Sequence, residues 1–410
     1  MDMIKNILFL TTMYPNNLRP GTGVCHYFTR QWKMMGYDVK VVYLRSMFPR
    51  IYTDLARLFP KLALKYVGNH VEMDRNMSIL VEEKEGIPVY SIPIYKYIPH
   101  GKYPHRSINK CLASIQAILK EQEFVPDAII GHFYNPTMEI VGCLKKEYPM
   151  AKTCVSLHEL SPEVIKKSYP NNYTEIINGI DVIGFRSIPI KEKFEKTFGN
   201  EHKSLVCWSG TPEMYLETPP TTIRRFTDGP MKNYLYVGQT IKRKFPKETV
   251  EGVHKAMGNN DFSLVYVGSE DLGYIDTKAY VDSNHLENKV AFVGKIPREE
   301  IIRYYDKSDC FILISKWEVF GLVFLEAMSR GCITIASKGE GMEGIIEYGV
   351  NGFLCEPGNA EELASIISYI NALTGAEKQA ISDRARDKAK ELSDYNVAKT
   401  YIEAIENSKS

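Results

Sequence analysis

The sequence predicts an α/β protein built from two doubly wound, Rossmann-like domains. Three observations carry this. Short apolar runs alternate with helical patterns along most of the chain, as βαβ units and parallel sheets require. At 410 residues the chain exceeds one domain, at roughly 100–200 residues each. A stretch rich in Gly, Pro and Thr, from Trp208 to Pro230, separates two such rhythms.

The first rhythm opens with an apolar strand, Ile7–Thr11. A loop with Pro15, Pro20, Gly21 and Gly23 follows. Val24, Phe28, Trp32 and Met35 then recur at helical spacing, Gly36 stops the helix, and Val39–Leu44 is the next strand. Residues 45–110 break the alternation with Pro, Tyr, Phe and basic residues, and an insertion with short helices is expected there. Order returns with helices Cys111–Lys120, Met138–Lys146 and Ile190–Phe198. They alternate with strands Ala128–Gly131, Thr153–Leu157, Asp181–Phe185 and Ser204–Trp208. The second rhythm has strands Tyr234–Val237, Ser263–Val267, Val290–Val293, Cys310–Ile314, Ile333–Ala336 and Gly352–Cys355. A helical tail begins near Ala376 and breaks near Ser393-Asp394. The expected domains are 1–210, 211–392 and a last helix, 393–410, packing back on the first domain. Two such domains facing each other put a ligand cleft between their strand C-terminal ends.

Composition narrows the function. Charged residues make up 25% and hydrophobic residues 44%, ordinary for a globular chain, so disorder, collagen and coiled coil are excluded. With 51 basic and 50 acidic residues the net charge is +1, so no global field recruits nucleic acid or a membrane. The eight cysteines are scattered without a C-x-x-C pair, and several lie in apolar runs. Buried reduced thiols in a cytoplasmic protein are expected. The N-terminal apolar run is too short for a signal peptide, and no run reaches the span of a membrane helix.

The densest chemistry lies between Ser315 and Gly331. An apolar strand ends in a polar loop bearing Glu318, Gly321 turns closely into a helix, and Glu326 sits one turn in, between Leu325 and Ala327. The helix start offers free N–H groups to a phosphate. A buried unpaired carboxylate is costly, and a ligand hydroxyl at Glu326 would remove much of that cost. The alternative is an exposed helix face. Gly339-Glu-Gly341-Met-Glu-Gly344 fits G-x-G-x-x-G, but Gly349 and Gly352 follow too soon for the helix a dinucleotide site needs.

Glu318-x7-Glu326, with Phe320-Gly321 after the first Glu and Glu326-Ala-Met at the second, resembles the donor-site signature of family 4 retaining glycosyltransferases, which have the GT-B fold. The segments Phe292–Asp309 and Glu340–Leu354 are similar to those the family places before and after it. The resemblance covers most of residues 230–370 well and the N-terminal half loosely.

It implies that Glu318 bonds donor-sugar hydroxyls and that Glu326 holds the ribose. Backbone N–H groups around Val319, Phe320, Gly321, Leu322 and Val323 would hold sugar and diphosphate. Gly238, Gln239 and Ile296 would line the nucleotide. The family's Arg after Val-Gly is Gln239 here, so Lys244, with Arg243, would neutralise the leaving diphosphate. A solvated surface cluster is the alternative. Gly23, in Pro20-Gly21-Thr22-Gly23, looks like the family's loop near the diphosphate, or is a plain turn. His158, at the end of its strand, would approach the donor sugar, or is structural. Arg186 would contact acceptor or phosphate, or neither. Glu343 and Gly344 keep open roles. No metal or other cofactor is expected.

The implied partners are a nucleotide-sugar donor and a saccharide or lipid-linked saccharide acceptor. Surface polysaccharide or glycolipid synthesis is the expected setting. A sugar-nucleotide epimerase and a non-catalytic sugar-nucleotide sensor are the rivals. Lys40, Arg45, Arg50, Arg57, Lys61 and Lys65 interleave with aromatic and aliphatic residues, and Tyr95–Arg106 repeats the theme. That insertion is either a peripheral contact with anionic lipid on the inner membrane face or an ordinary excursion packed on the domain.

Overall fold

The computed structural model describes residues 4–15, 23–59, 76–98, 101–159, 161–219 and 226–408. They form two compact units. The first holds Met1–Arg186, Ile190–Cys207 and Ala398–Ser410, the second Ser187–Pro189 and Trp208–Val397.

The first unit is built on strands β1 (Asn6–Thr11), β2 (Asp38–Met47), β3 (Leu80–Lys84), β4 (Ile87–Tyr95), β5 (Ala128–His132), β6 (Lys152–Leu157), β7 (Val182–Phe185) and β8 (Ser204–Val206). Their order is β3-β4-β2-β1-β5-β6-β7-β8. All neighbours are parallel except β3 against β4. Strand order reverses between β1 and β5, which opens a crevice at their C-terminal ends.

The expected insertion with short helices over 45–110 contains one such helix among the described residues, Arg50–Leu58, but also strands that were not expected. β2 runs on to Met47, and β3 and β4 form a hairpin that widens the sheet. Its turn is Glu85-Gly86, both at positive φ (51° and 75°), the geometry that matches strand twist. Pro88 and Pro93 lie inside β4, and proline argues against a strand from sequence alone. The helix Arg50–Leu58 is the short helical piece between β2 and β3 among the described residues.

The helix Asp394–Glu406 crosses into the first unit from Ala398 onward. There Trp32 Nε1 donates to the Ala398 carbonyl at 2.8 Å, and the Tyr401 ring packs 5.3 Å from Phe28 and 5.5 Å from Trp32.

The second unit has strands β9 (Asn233–Val237), β10 (Ser263–Val267), β11 (Val290–Gly294), β12 (Cys310–Ile312), β13 (Ile333–Ser337) and β14 (Phe353–Cys355). Their order is β11-β10-β9-β12-β13-β14, all parallel. β12 and β13 are buried throughout, which is why they read as unbroken apolar runs. The order reverses between β9 and β12. None of the eight cysteines forms a disulfide, and Cys143 is the exposed one. No helix among the described residues is long and apolar enough to cross a membrane.

Candidate active site

The crevice at the β9/β12 reversal gathers most of the expected residues. On one side, β9, β10 and β11 each end in aromatic-Val-Gly: Tyr236-Val-Gly238, Tyr266-Val-Gly268 and Phe292-Val-Gly294. The aromatics pair in register and pack ring against ring across the sheet, with centroids 4.9 and 5.0 Å apart. The glycines sit at φ of 155°, 151° and 78°. A Cβ on Gly268 would fall 1.9 Å from the Gly238 carbonyl oxygen. Three strand ends are thereby stripped of side chains, so a ligand can approach bare backbone. Gln239 follows Gly238, and its carbonyl accepts from the Tyr236 hydroxyl at 2.9 Å. Ile296 lies half-buried just past β11.

Lys244 ends a single 3-10 turn, Lys242–Lys244. Its Nζ lies 3.3 Å from where a Gly238 Cβ would stand, so the bare glycine makes room for the cation. Lys244 Nζ is 3.6 Å from Glu318 Oε2, and both side chains are largely buried, at 14% and 18% exposure. Arg243 does different work. Its guanidinium donates to the Lys316 and Trp317 carbonyls at 3.3 and 3.4 Å, and its own carbonyl accepts from Lys316 N–H at 2.8 Å. Arg243 therefore ties the basic turn to the Glu318 loop.

That loop is held from every side. Trp317 sits at φ 61°, a costly conformation for a bulky residue, and is more than half exposed. Ser315 Oγ donates to Glu318 Oε2 at 3.3 Å, and Glu318 N–H donates to Glu340 Oε2 at 2.7 Å. Gly341 N–H bonds the Glu318 carbonyl at 2.9 Å, and a Cβ on Gly341 would strike the Phe320 backbone at 2.4 Å. Glu343 Oε2 accepts from Gly339 N–H at 2.9 Å. The Gly339–Gly344 segment is thus a brace behind Glu318, with no helix after it. Gly321, at φ 86°, starts the helix Leu322–Ser329. Val319, Leu322 and Val323 are half-buried around that start, and Phe320 is buried beneath it.

Glu326 is buried, at 2% exposure, but it has partners within the unit. Arg298 Nη2 pairs with Oε1, and the Tyr305 hydroxyl donates to Oε2 at 3.1 Å. The expectation that a ligand hydroxyl would remove much of its burial cost is corrected: Arg298 and Tyr305 do so within the unit. Glu326 with Arg298, which is about one-third exposed, forms a polar pair that a ligand can still reach through the arginine.

In the first unit, His158 follows β6. Its Nε2 lies 3.0 Å from His132 Nδ1, and its ring stacks on Phe133 at 4.0 Å. Its backbone N–H donates to Glu159 Oε2 at 3.0 Å, and burial pushes the Glu159 carboxyl up to about 7. Burial, the neighbouring His132 and Arg186 hold the His158 imidazole well below its usual range, so it is neutral at pH 7. Gly23 caps the helix Val24–Met34 after β1, with ordinary φ. A Cβ there would press the Tyr27 ring at 2.9 Å. Pro20, Gly21 and Thr22 lie outside the described residues. Arg186 is 1% exposed, donates to the Cys207 carbonyl and lies 5.3 Å over the Phe28 ring. Its charge is used inside the unit, contrary to an acceptor contact.

Sequence reasoning missed Arg298, Tyr305, Gly268, Gly294 and Glu340. The repeated aromatic-Val-Gly could have revealed the two glycines. Nothing local marks Arg298 as the partner of a Glu 28 residues away.

The family described as glycosyl transferases group 1 matches residues 225–388. An uncharacterised glycosyltransferase of Methanocaldococcus jannaschii is 27% identical over 172 residues, 42% of this chain and 44% of that protein. This chain therefore aligns with less than half of that relative. The putative teichuronic acid biosynthesis glycosyltransferase TuaC of Bacillus subtilis is 22% identical over 88% of both chains. Among solved structures, sucrose-phosphate synthase from Thermosynechococcus elongatus superposes with a TM-score of 0.66 at 17% identity, over 97% of both chains. That likeness shows the fold. Residues 225–388 match the model of the group 1 glycosyl transferases, and the chain carries the GT-B fold of two parallel-sheet domains.

Proposed function

We propose that this protein is a retaining glycosyltransferase. It moves a sugar from a nucleotide-diphospho-sugar to an acceptor hydroxyl, in surface polysaccharide or glycolipid synthesis. One observation carries the reading: Lys244 and Glu318 converge 3.6 Å apart at the strand-order reversal, beside glycine-ended strands and a helix start. A carboxylate suits sugar hydroxyls, and a cation beside free N–H groups suits a diphosphate. The first unit takes the acceptor.

In this reading the bond from the anomeric carbon to the diphosphate oxygen breaks, and its electron pair stays on the phosphate. Lys244 and the N–H groups after Gly321 stabilise that growing charge. The acceptor oxygen bonds the anomeric carbon on the same face, and its proton passes to the departing phosphate oxygen. No protein base is needed. Glu318 orients the donor sugar, and Glu326 with Arg298 holds the ribose.

The test is a panel of labelled nucleotide sugars, incubated with and without saccharide and lipid-linked acceptors. Acceptor-dependent transfer supports the reading. A new free sugar without acceptor would mark an epimerase, and binding without turnover a sensor. Calorimetry with the matching nucleotide should show Glu326→Ala losing about 1–3 kcal/mol of affinity. Unchanged affinity for every nucleotide would remove the ribose assignment.

A lipid-linked acceptor would bring the protein to a membrane face, and the helix Arg50–Leu58 supports that setting. Ile51, Leu55 and Leu58 fall at i, i+4 and i+7 and are 63%, 47% and 71% exposed. Exposed Arg50 and Arg57 accompany them, and Phe59 extends the apolar face. Two of the expected cations are corrected. Arg45 is buried and donates to the Asn76 and Ser78 carbonyls, and Lys40 lies 4.7 Å over the Phe124 ring. Lys61 and Lys65 lie outside the described residues. Co-sedimentation with anionic liposomes is expected at low salt. It should be lost at 1 M salt, where the Debye length falls to about 3 Å. Combined Arg50→Gln, Arg57→Gln and Leu58→Ser should abolish it without changing nucleotide affinity. A parent protein that ignores anionic liposomes at low salt would remove the membrane setting.

A further inference from the structure

We propose that a buried chain of hydrogen bonds, running from the β7 end through the C-terminal helix, fixes the tautomer of His158. His132 and Tyr401 are its positioning residues. The proposal rests on the reading that His158 meets a substrate hydroxyl.

The chain lies within the first unit. Ser156 and His132 are register partners on β6 and β5, so His158 emerges beside His132. Cys207 Sγ is 3.3 Å from the Phe185 carbonyl, Ser156 Oγ is 3.0 Å from Cys207 Sγ, and the Tyr401 hydroxyl is 2.5 Å from Ser156 Oγ. His132 Nε2 is 3.4 Å from the Tyr401 hydroxyl, the longest link, and His132 Nδ1 is 3.0 Å from His158 Nε2. Ser156, Tyr401, Cys207 and His132 are all buried.

The direction follows from proton counting. A carbonyl only accepts, so the Cys207 thiol spends its proton on Phe185. Ser156 and Tyr401 carry one hydroxyl proton each. Ser156 then donates to Cys207, and Tyr401 donates to Ser156. The Tyr401 oxygen is left as an acceptor and takes both the Cys154 thiol proton, from 3.6 Å, and the His132 Nε2–H. Burial keeps His132 neutral, so its Nδ1 is a lone pair and accepts from His158 Nε2–H. The Cys25 thiol lies 3.8 Å from the same Nδ1. Its proton goes to Thr11 Oγ1 at 3.5 Å, because the Thr11 proton is used on the Met13 carbonyl. His158 Nδ1 has no hydrogen-bond partner among the described residues. It is left as an acceptor for a substrate O–H, where the opposite polarity would offer a donor.

The full chain, labelled with 15N-histidine, tests this by long-range proton–nitrogen correlation spectra. Signals are assigned with His132→Gln and His158→Gln. The expected parent spectrum at pH 7 shows both histidines neutral and protonated on Nε2. A His158 protonated on Nδ1 overturns the proposal. Ser156→Ala combined with Cys154→Ala removes both acceptors of the Tyr401 proton, Ser156 Oγ and the Cys154 Sγ that lies 3.6 Å away. That proton then turns to His132 Nε2, and both histidines should switch to the Nδ1–H form. Tyr401→Phe should leave His158 a mixture of forms, with kcat lowered about tenfold and KM little changed. Nitrogen shifts that stay fixed in both variants would make Tyr401 a packing residue only. The spectra need no substrate. Failure to find any glycosyl transfer would refute the proposed function and leave this result standing.

Discussion

Lys244→Ala is expected to lower kcat by about 10²–10³-fold, the scale seen when one preorganised group that stabilises developing charge is removed. Nucleoside affinity should stay within about twofold, because the charge on the diphosphate grows mainly as the glycosyl bond breaks. The geometry sharpens the expectation. Lys244 is 14% exposed and packs into space that only a glycine at 238 leaves open. Its charge acts where water screens little. Arg243→Ala should behave differently, since its guanidinium holds the Lys316 and Trp317 carbonyls. That variant should loosen the Glu318 loop and raise KM along with the fall in kcat. Single-turnover kinetics with the competent donor separates the two effects. Turnover of Lys244→Ala within about twofold of the parent would place the diphosphate clamp elsewhere.

The loop from Ser315 to Gly321 was legible because its residues are contiguous and their chemistry is local. A strand end, a carboxylate, a glycine turn and a helix start can be read in order. The alternation of apolar runs likewise gave both parallel sheets, since strands buried on both faces have little freedom in composition. What escaped was set by partners distant in sequence. Glu326 looked like an orphan carboxylate because Arg298 and Tyr305 come from another helix. Arg186 looked like a ligand contact at a strand end, but the fold turns it onto Cys207 and Phe28. The β3–β4 hairpin was hidden by Pro88 and Pro93, which local propensity penalises and sheet context tolerates. The three glycine strand ends were each visible, but their juxtaposition depends on sheet order.

Asp306→Ala should strongly destabilise the second unit. Asp306 and Arg330 are both nearly inaccessible, at 1% and 2% side-chain exposure, and pair bidentately at 2.7 and 3.0 Å. The remaining guanidinium nitrogen donates to the Tyr215 and Thr218 carbonyls at 3.0 and 2.7 Å. The pair therefore binds the helix Arg298–Lys307, which holds Asp306, to the end of the Glu326 helix and to the C-terminal end of helix Glu213–Glu217. Removing one partner of a buried ion pair costs about 3–5 kcal/mol, because the other charge stays buried without it. At about 2–4 °C per kcal/mol for a unit of this size, the loss is about 6–20 °C in Tm. Lys338→Ala, which breaks the more exposed pair with Glu362, should cost about 0–1 kcal/mol. Replacing both buried partners together, Asp306→Leu with Arg330→Met, should recover part of the loss, since no charge is stranded. The Tyr215 and Thr218 carbonyls would still lose a donor, so recovery stays incomplete. Calorimetric unfolding of the three variants beside the parent measures the order. Asp306→Ala melting within about 2 °C of the parent would show that the guanidinium finds other acceptors and that the pair does not anchor the Glu326 helix.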